Sequence, residues 1–343
     1  MPPEPGAFRG QALAPADQAS ATATAILNGL SVDVEDWFQV GAFEHVIDKA
    51  DWQTLDRRVE RNTDAVLALF GETGVTATFF TLGWVAHRHP ALVRRIVEAG
   101  HELASHGWDH QRVFTMTPDR FCADIARARA ALEDAAGVAI TGYRAPSFSI
   151  DARTPWAHVA LAEAGYTYSS SVAPLAHDHY GWPEAPRYAF RPLADSTLIE
   201  LPVTVAQFGR KRVATGGGFF RLLPAALTDF SIRQVNREGQ PAVFYFHPWE
   251  IDPDQPRVAT APLRSKLRHY SRLGAMAGKL RGLIGRHDWG RVDHVVSSLD
   301  IEHAPPRQRP GPSCDELGDA GQHSMTQTSA TGPRLSPGRR QAA

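Results

Sequence analysis

Between residues 29 and 248 the chain alternates short apolar runs with amphipathic stretches, and this alternation limits the fold more than any other feature of its 343 residues. The runs "GLSVDV", "TATFFTLG", "HELASH", "ITGYRAP", "YTYSSSV", "TLIELPV" and "AVFYFHP" have the length and the β-branched or aromatic content of strands. Among them lie helical patterns: "RNTDAVLALFGETG", "PALVRRIVEAG", "PDRFCADIARARAALEDAAG" and "TPWAHVALAEAG". The second begins at Pro90 and closes at Gly100, a proline and a glycine at the helix ends that favour them. Strands alternating with helices imply an α/β fold with a mainly parallel sheet. An open doubly wound sheet and a (β/α) barrel both satisfy the pattern, so the polar residues must decide between them.

Those residues collect at one end of the strands. Asp33 to Asp36, His106, Arg144, Ser169 to Ser171 and His247 all stand at the C-terminal ends of their runs. In a β/α barrel these ends form the active face. We therefore expect an irregular (β/α) barrel of about seven strands, with a less repetitive segment of about residues 206 to 300 closing over it.

With 36 Lys and Arg against 37 Asp and Glu, the formal charge of −1 offers no global field for a polyanion, so nucleic acid is not an expected partner. The first 26 residues lack the charged start and continuous apolar block of a secretory signal, and no later run is long enough to span a bilayer. The expected location is the cytoplasm, with peripheral contact at the inner face of the membrane left open. Oligomeric state is not legible.

"ELASHGWDH" places His106 and His110 at i, i+4 directly after a strand, a spacing that brings both rings to one side of a turn. The pair alone is a weak signal. Two neutral imidazoles and one carboxylate, however, make a three-ligand metal set with positions left for water and substrate. "SVDVEDWFQV" offers three carboxylates, Asp33, Glu35 and Asp36, which would repel one another without a cation nearby. A carboxylate outside the ligand set can serve as a general base. "GYRAPSFS" supplies Arg144, whose guanidinium can hold a carboxylate ionised and oriented. "VFYFHPWEID" places His247 after the most apolar run, where at a barrel rim it suits a general acid; Trp249 and Glu250 shape the pocket beside it. Trp37, Phe38, Trp108 and Phe148 offer faces for a sugar ring, although aromatics in this number more often fill a core. Gly216 to Gly218 lack the lysine of a phosphate-binding loop and read as a tight turn or lid.

Taken in order, these motifs resemble the polysaccharide deacetylase family of the nodulation-type chitooligosaccharide deacetylases, carbohydrate esterase family 4. The resemblance spans about residues 27 to 250. "VDVEDWF", "SHGWDH", "YRAPSFS", "HDHYG", "GGGFFRLLP" and "FYFHPWEID" look like the subgroup found with bacterial exopolysaccharide and exosortase loci, which carries a C-terminal extension. The implied organisation is a disordered segment at 1–24, a catalytic domain at 25–250, an extension packed on it at 251–303 and a disordered tail at 304–343.

The resemblance implies a deformed β/α barrel that removes acetyl groups from sugar polymers with a divalent metal, usually zinc. It assigns His106 and His110 to the metal, Asp33 to the general base, Arg144 to the residue that orients that base, His247 to the general acid and the Ser147 N–H to the oxyanion. Common members have adjacent aspartates in the first motif, whereas Val34 and Glu35 intervene here before Asp36. Strand alternation puts Asp33 and Glu35 on one face. Asp36, with the shorter side chain of the usual ligand, is the preferred metal carboxylate and Glu35 the alternative. Ser169 stands where an aspartate often begins the fourth motif, which leaves the tuning of His247 open. The expected function is metal-dependent N-deacetylation of a bacterial polysaccharide or its lipid-linked precursor. The alternatives are hydrolysis of another C–N amide bond, in a cyclic amide or a peptidoglycan-type substrate, and sugar binding without catalysis.

Overall fold

A computed structural model describes residues 26–299 of the chain, except 178, 179 and 210. The segments 1–24 and 304–343, expected to be disordered, lie outside the described residues, as do Asp178 and His179 of "HDHYG".

Seven parallel strands form a curled sheet of half-barrel shape, and each coincides with one of the seven apolar runs, β1 beginning one residue before its run. They are β1 (Asn28–Val34), β2 (Thr78–Thr81), β3 (Glu102–Ser105), β4 (Gly142–Tyr143), β5 (Tyr168–Ser169) and β6 (Ile199–Glu200), then, after the antiparallel hairpin β7 (Val205–Phe208) and β8 (Lys211–Ala214), β9 (Val243–Phe246). β9 pairs with β1, so the sheet runs β9-β1-β2-β3-β4-β5-β6. Its ends approach where the Thr204 N–H donates to the Val243 carbonyl at 3.1 Å and the Val243 N–H donates to Thr204 Oγ1 at 2.7 Å. β10 (Trp289–Gly290) adds a short parallel pairing beside the start of β1.

The helices are α1 (Val59–Thr73), α2 (Gly83–Arg88), α3 (Pro90–Glu98), α4 (Pro118–Ala136), α5 (Ala157–Glu163), α6 (Gly217–Leu222), α7 (Ala225–Arg237), α8 (Leu263–Tyr270), α9 (Leu273–Ile284) and α10 (Val292–Ser297). α4 shows the local logic: Thr117 caps it by accepting from the Arg120 N–H, Pro118 occupies its first turn, and Phe121, Ile125, Ala128 and Leu132 line its buried face.

Period-two alternation along β1 divides its side chains between two environments. Val32 and Val34 join the outer core with Phe79, Leu92 and Ile96, and Met276 and Leu280 of α9 enter the same cluster. Ser31 and Asp33 point the other way, toward Arg144. Residues beyond 250 are thus part of the main core, and β10 extends their contact into the sheet.

The strand register sets the site. Val34, Thr81, Ser105, Tyr143, Ser169 and Glu200 form one row across the sheet, and Val32 pairs with Phe246. The residues that follow this row, Glu35, His106, Arg144 and Ser170, therefore leave the sheet at one level, with Asp33 beside His247.

Candidate active site

Arg144 stands at the centre of the floor with no exposed surface. Its Nη1 donates to Asp33 Oδ1 at 2.7 Å and to Ser31 Oγ at 2.8 Å, its Nε to the Ser170 carbonyl at 3.1 Å, and its Nη2 to Ser170 Oγ at 2.9 Å. The Phe80 ring lies 4.0 Å from the guanidinium carbon. A guanidinium so enclosed cannot turn, and it holds Asp33 in one orientation.

Glu35, His106 and His110 converge above that pair, each offering one ligand atom, and these atoms all lie within 4.8 Å of one another. Nδ1 of His106 is 2.9 Å from the Arg144 carbonyl. A carbonyl only accepts, so this nitrogen carries the proton and the Nε2 lone pair is left for a ligand role. Glu35 Oε2 lies 2.8 Å from His110 Nε2 but is buried without accepting a hydrogen bond, while Trp249 Nε1 donates to Oε1 at 3.2 Å. Burial works to raise the Glu35 carboxyl, but the charges of His110, His247 and His106 outweigh it and pull the group down to about 2. Burial pushes His106 down to about 4, against the charge of Asp33. Two imidazoles and a buried carboxylate whose ligand atoms all lie within 4.8 Å of one another are a donor set that a divalent ion fits.

Asp36 does not join this cluster. Its Oδ2 accepts from the N–H groups of Arg58, at 2.8 Å, and Val59, at 3.1 Å, and its Oδ1 from the Trp37 N–H at 2.9 Å. It therefore caps α1, whose first amides would otherwise be orphaned. The structure thus brings Glu35, the alternative, to the two histidines and leaves the preferred Asp36 outside the cluster, because β1 keeps its alternation one residue beyond Val34 before the chain turns.

His247 faces the cluster from β9, with Nε2 at 3.6 Å from Glu35 Oε1 and 4.0 Å from Asp33 Oδ2. Its Nδ1 lies 3.0 Å from Oε2 of Glu250, which also accepts the His247 N–H at 3.1 Å. The other Glu250 oxygen accepts from Arg221 Nε at 3.0 Å. Burial opposes the charged imidazolium, but the bond to Glu250 and the charges of Glu35, Glu250 and Asp33 prevail and raise His247 to about 9. Its ring stacks on Trp249 at 5.2 Å, and Trp249 stacks on His269 of α8 at 4.2 Å.

The loop after Arg144 carries Ser147 and Phe148 at φ of 54° and 48°, two successive left-handed residues without glycine. This bend brings Ser147 to the wall of a cleft of about 470 Å3 that also holds Asp33, Glu35, both metal-type histidines and His247. The expected sugar platforms are only partly there. Phe148 lines the cleft with Tyr180, Tyr245 and Trp249, whereas Trp37 and Phe38 are buried in the outer core and Trp108 carries the Arg127 guanidinium on its face. Gly216 and Gly217 have a packing reason: a Cβ on either would come within 3.0 Å of the Tyr245 ring, and Gly217 sits at φ +51°.

Against this geometry, residues 45–169 match the model of the polysaccharide deacetylase family. By this match that segment is a polysaccharide deacetylase domain. Residues 170–297 match a second model, a domain of unknown function named DUF3473. The deacetylase domain is similar to the peptidoglycan-N-acetylglucosamine deacetylase of Listeria monocytogenes, with 34% identity over 84 residues, 24% of this chain and 18% of that protein. It is also similar to the chitooligosaccharide deacetylase of a Bradyrhizobium species, with 30% identity over 133 residues, 39% of this chain and 55% of that protein. The match thus spans from under a fifth to about half of these relatives. The fold is that of a crystal structure described as a putative polysaccharide deacetylase from Mycobacterium smegmatis, at a TM-score of 0.56 and 22% identity, covering 85% of this chain and 96% of that one.

Sequence reasoning missed Arg221, which belongs to the second matched region. It is 1% exposed, and besides Glu250 its guanidinium bonds to the carbonyls of Arg268, His269 and Ser271. In the chain it stands in "GGGFFRLLP", and an arginine amid apolar residues is a weak signal that a buried partner carboxylate exists.

Proposed function

We propose that the chain is a metal-dependent deacetylase that hydrolyses the acetamido group of a bacterial polysaccharide or of its lipid-linked precursor. The observation that supports this most is the convergence of Glu35, His106 and His110 in one cleft with the Arg144-held Asp33 and with His247.

Glu35, His106 and His110 would hold the ion, and two nitrogens with one oxygen suit zinc. When bound, the ion lowers the pKa of a water to about 7 and polarises the acetyl carbonyl. Asp33, held in one orientation by Arg144, takes the proton from the attacking water. The Ser147 N–H donates to the oxygen on which negative charge develops, a role that any residue except proline can fill. His247 gives its proton to the leaving amine, and acetate departs. Glu250 replaces the aspartate that Ser169 displaces: it fixes the imidazole and keeps it protonated at neutral pH.

The test is acetate release from acetylated chitooligosaccharide, peptidoglycan fragments and lipid-linked saccharide by zinc-loaded protein. Asp33→Asn and His106→Ala should each abolish release while the protein stays folded. Undiminished release by either variant overturns the assignment, and amide hydrolysis without acetate favours a cyclic-amide substrate. Metal content of the purified chain separates an enzyme from a sugar-binding protein.

A further inference from the structure

Among the described residues no helix is long and apolar enough to cross a membrane. One short helix nevertheless carries the features of a surface that lies on one. Leu263 and Leu267 of α8 are 72% and 59% exposed, and a spacing of four puts both on the same side of the helix. These are the two most exposed large apolar side chains of the described residues. Along the chain around them the charge is one-sided, although Arg281 pairs with Glu72 and Lys279 donates to the carbonyls of Phe220, Arg221 and Leu223. Between Asp254 and Asp288 the chain carries eight Lys and Arg and no Asp or Glu, although its total charge is −1. Arg264, Lys266 and Arg268 fall within α8 itself, and Arg272 follows it. Apolar side chains on one side of a helix and cations beside them suit an anionic lipid surface.

The position of α8 connects that surface to the cleft. Pro262, Arg264, Ser265, Arg268 and His269 form one wall of the cleft, while Leu263 and Leu267 do not line it. The helix is also held firmly: the Arg221 guanidinium donates to Glu250 and to the carbonyls of Arg268 and His269 at the α8 C-terminus, and His269 stacks on Trp249. A flat object that covers the two leucines therefore meets the rim of the cleft.

We propose that α8 docks the protein on an anionic phospholipid bilayer, with Leu263 and Leu267 entering the headgroup boundary and the basic segment facing anionic lipid. The cleft then opens at the membrane surface, where a saccharide attached to a lipid can reach Glu35 and Asp33. The docking stands on α8 alone, whereas the lipid-linked substrate rests on the function proposed above.

The experiment is co-sedimentation of the full chain with vesicles of phosphatidylglycerol and phosphatidylcholine, against vesicles of phosphatidylcholine alone. Wild-type protein should partition to the anionic vesicles and release from them as salt is raised. The L263S/L267S variant should lose binding by a factor on the order of ten or more. Its thermal unfolding, its mass in gel filtration and its acetate release from a soluble oligosaccharide should match the wild type. No binding to anionic vesicles, equal binding by the variant, or equal binding to both vesicle types overturns the proposal. A wild-type dimer that the variant dissolves, without vesicle binding, overturns it in favour of a second copy of the chain. Vesicle binding by a protein inactive on every acetylated substrate would sink the deacetylase reading and leave the docking standing.

Discussion

The Glu250 carboxylate lies 3.0 Å from Nδ1 of His247, three residues earlier in the chain, with both groups between β9 and the helices that follow it. Its second oxygen is held by Arg221, so the charge beside the imidazole cannot swing away. Glu250→Gln keeps the shape and removes the charge. With less to oppose the burial of the cation, His247 should lose its proton at a lower pH than about 9. The expected result is a fall in kcat of roughly 10- to 100-fold at pH 8 and an alkaline limb moved toward neutrality. A pH–rate profile unchanged from wild type would remove Glu250 from the account.

Arg221→Met tests the other half of the pair. Both partners are buried, and removal of the cation leaves Glu250 without compensation, at a cost of about 3–5 kcal/mol. Urea unfolding should show the loss, and the double variant Arg221→Met/Glu250→Gln should regain part of it, since the charge left unpaired is then gone. Additive losses would mean that the two residues do not act together.

His101 predicts an acid sensitivity away from the site. Its Nδ1 accepts the Ala77 N–H at 3.2 Å, and its ring packs against Phe79 at 4.9 Å. Burial, with the charge of Arg291, lowers it from 6.5 to about 4. Between these values the unfolded chain binds the proton and the folded one does not, so stability falls as pH drops from about 6.5 to 4 and is fully present above that window. The contribution is at most about 3 kcal/mol. His101→Asn keeps an acceptor for Ala77, and its unfolding free energy should change less between pH 7 and pH 5 than that of the wild type. An unchanged slope would contradict the assignment.

Much of the framework was legible because its signals are local. Each of the seven parallel strands, β1 to β6 and β9, coincides with an apolar run closed by polar residues, and the helices α1, α3 and α4 have glycine or proline at their ends. Asp33, His106, Arg144 and His247 could be singled out because each directly follows or ends such a run. What was not legible depends on contacts between distant segments. Asp36 looked like the ligand by its chemistry, but its partners at Arg58 and Val59 lie more than twenty residues on, and only the fold shows that α1 needs this cap. Arg221 reaches Glu250 across 29 residues, and no periodicity marks that pairing. The segment after Phe246 repeats no β/α unit; the sequence could suggest that it closes over the barrel, but not that α9 enters the core or that α8 forms a wall of the cleft.

The division of labour between neighbouring acids can be measured directly. Asp36→Asn should cost about 0.5–2 kcal/mol of stability through the weakened cap on α1, while zinc still binds. Glu35→Gln should leave thermal stability near that of wild type and remove one of the three ligands, so that zinc is lost on dialysis. Equilibrium dialysis of zinc against the wild type and these two variants is the most direct test of the site. The account predicts one tightly held ion in the wild type and in Asp36→Asn, and none retained by Glu35→Gln. Retention by Glu35→Gln with loss in Asp36→Asn would contradict it.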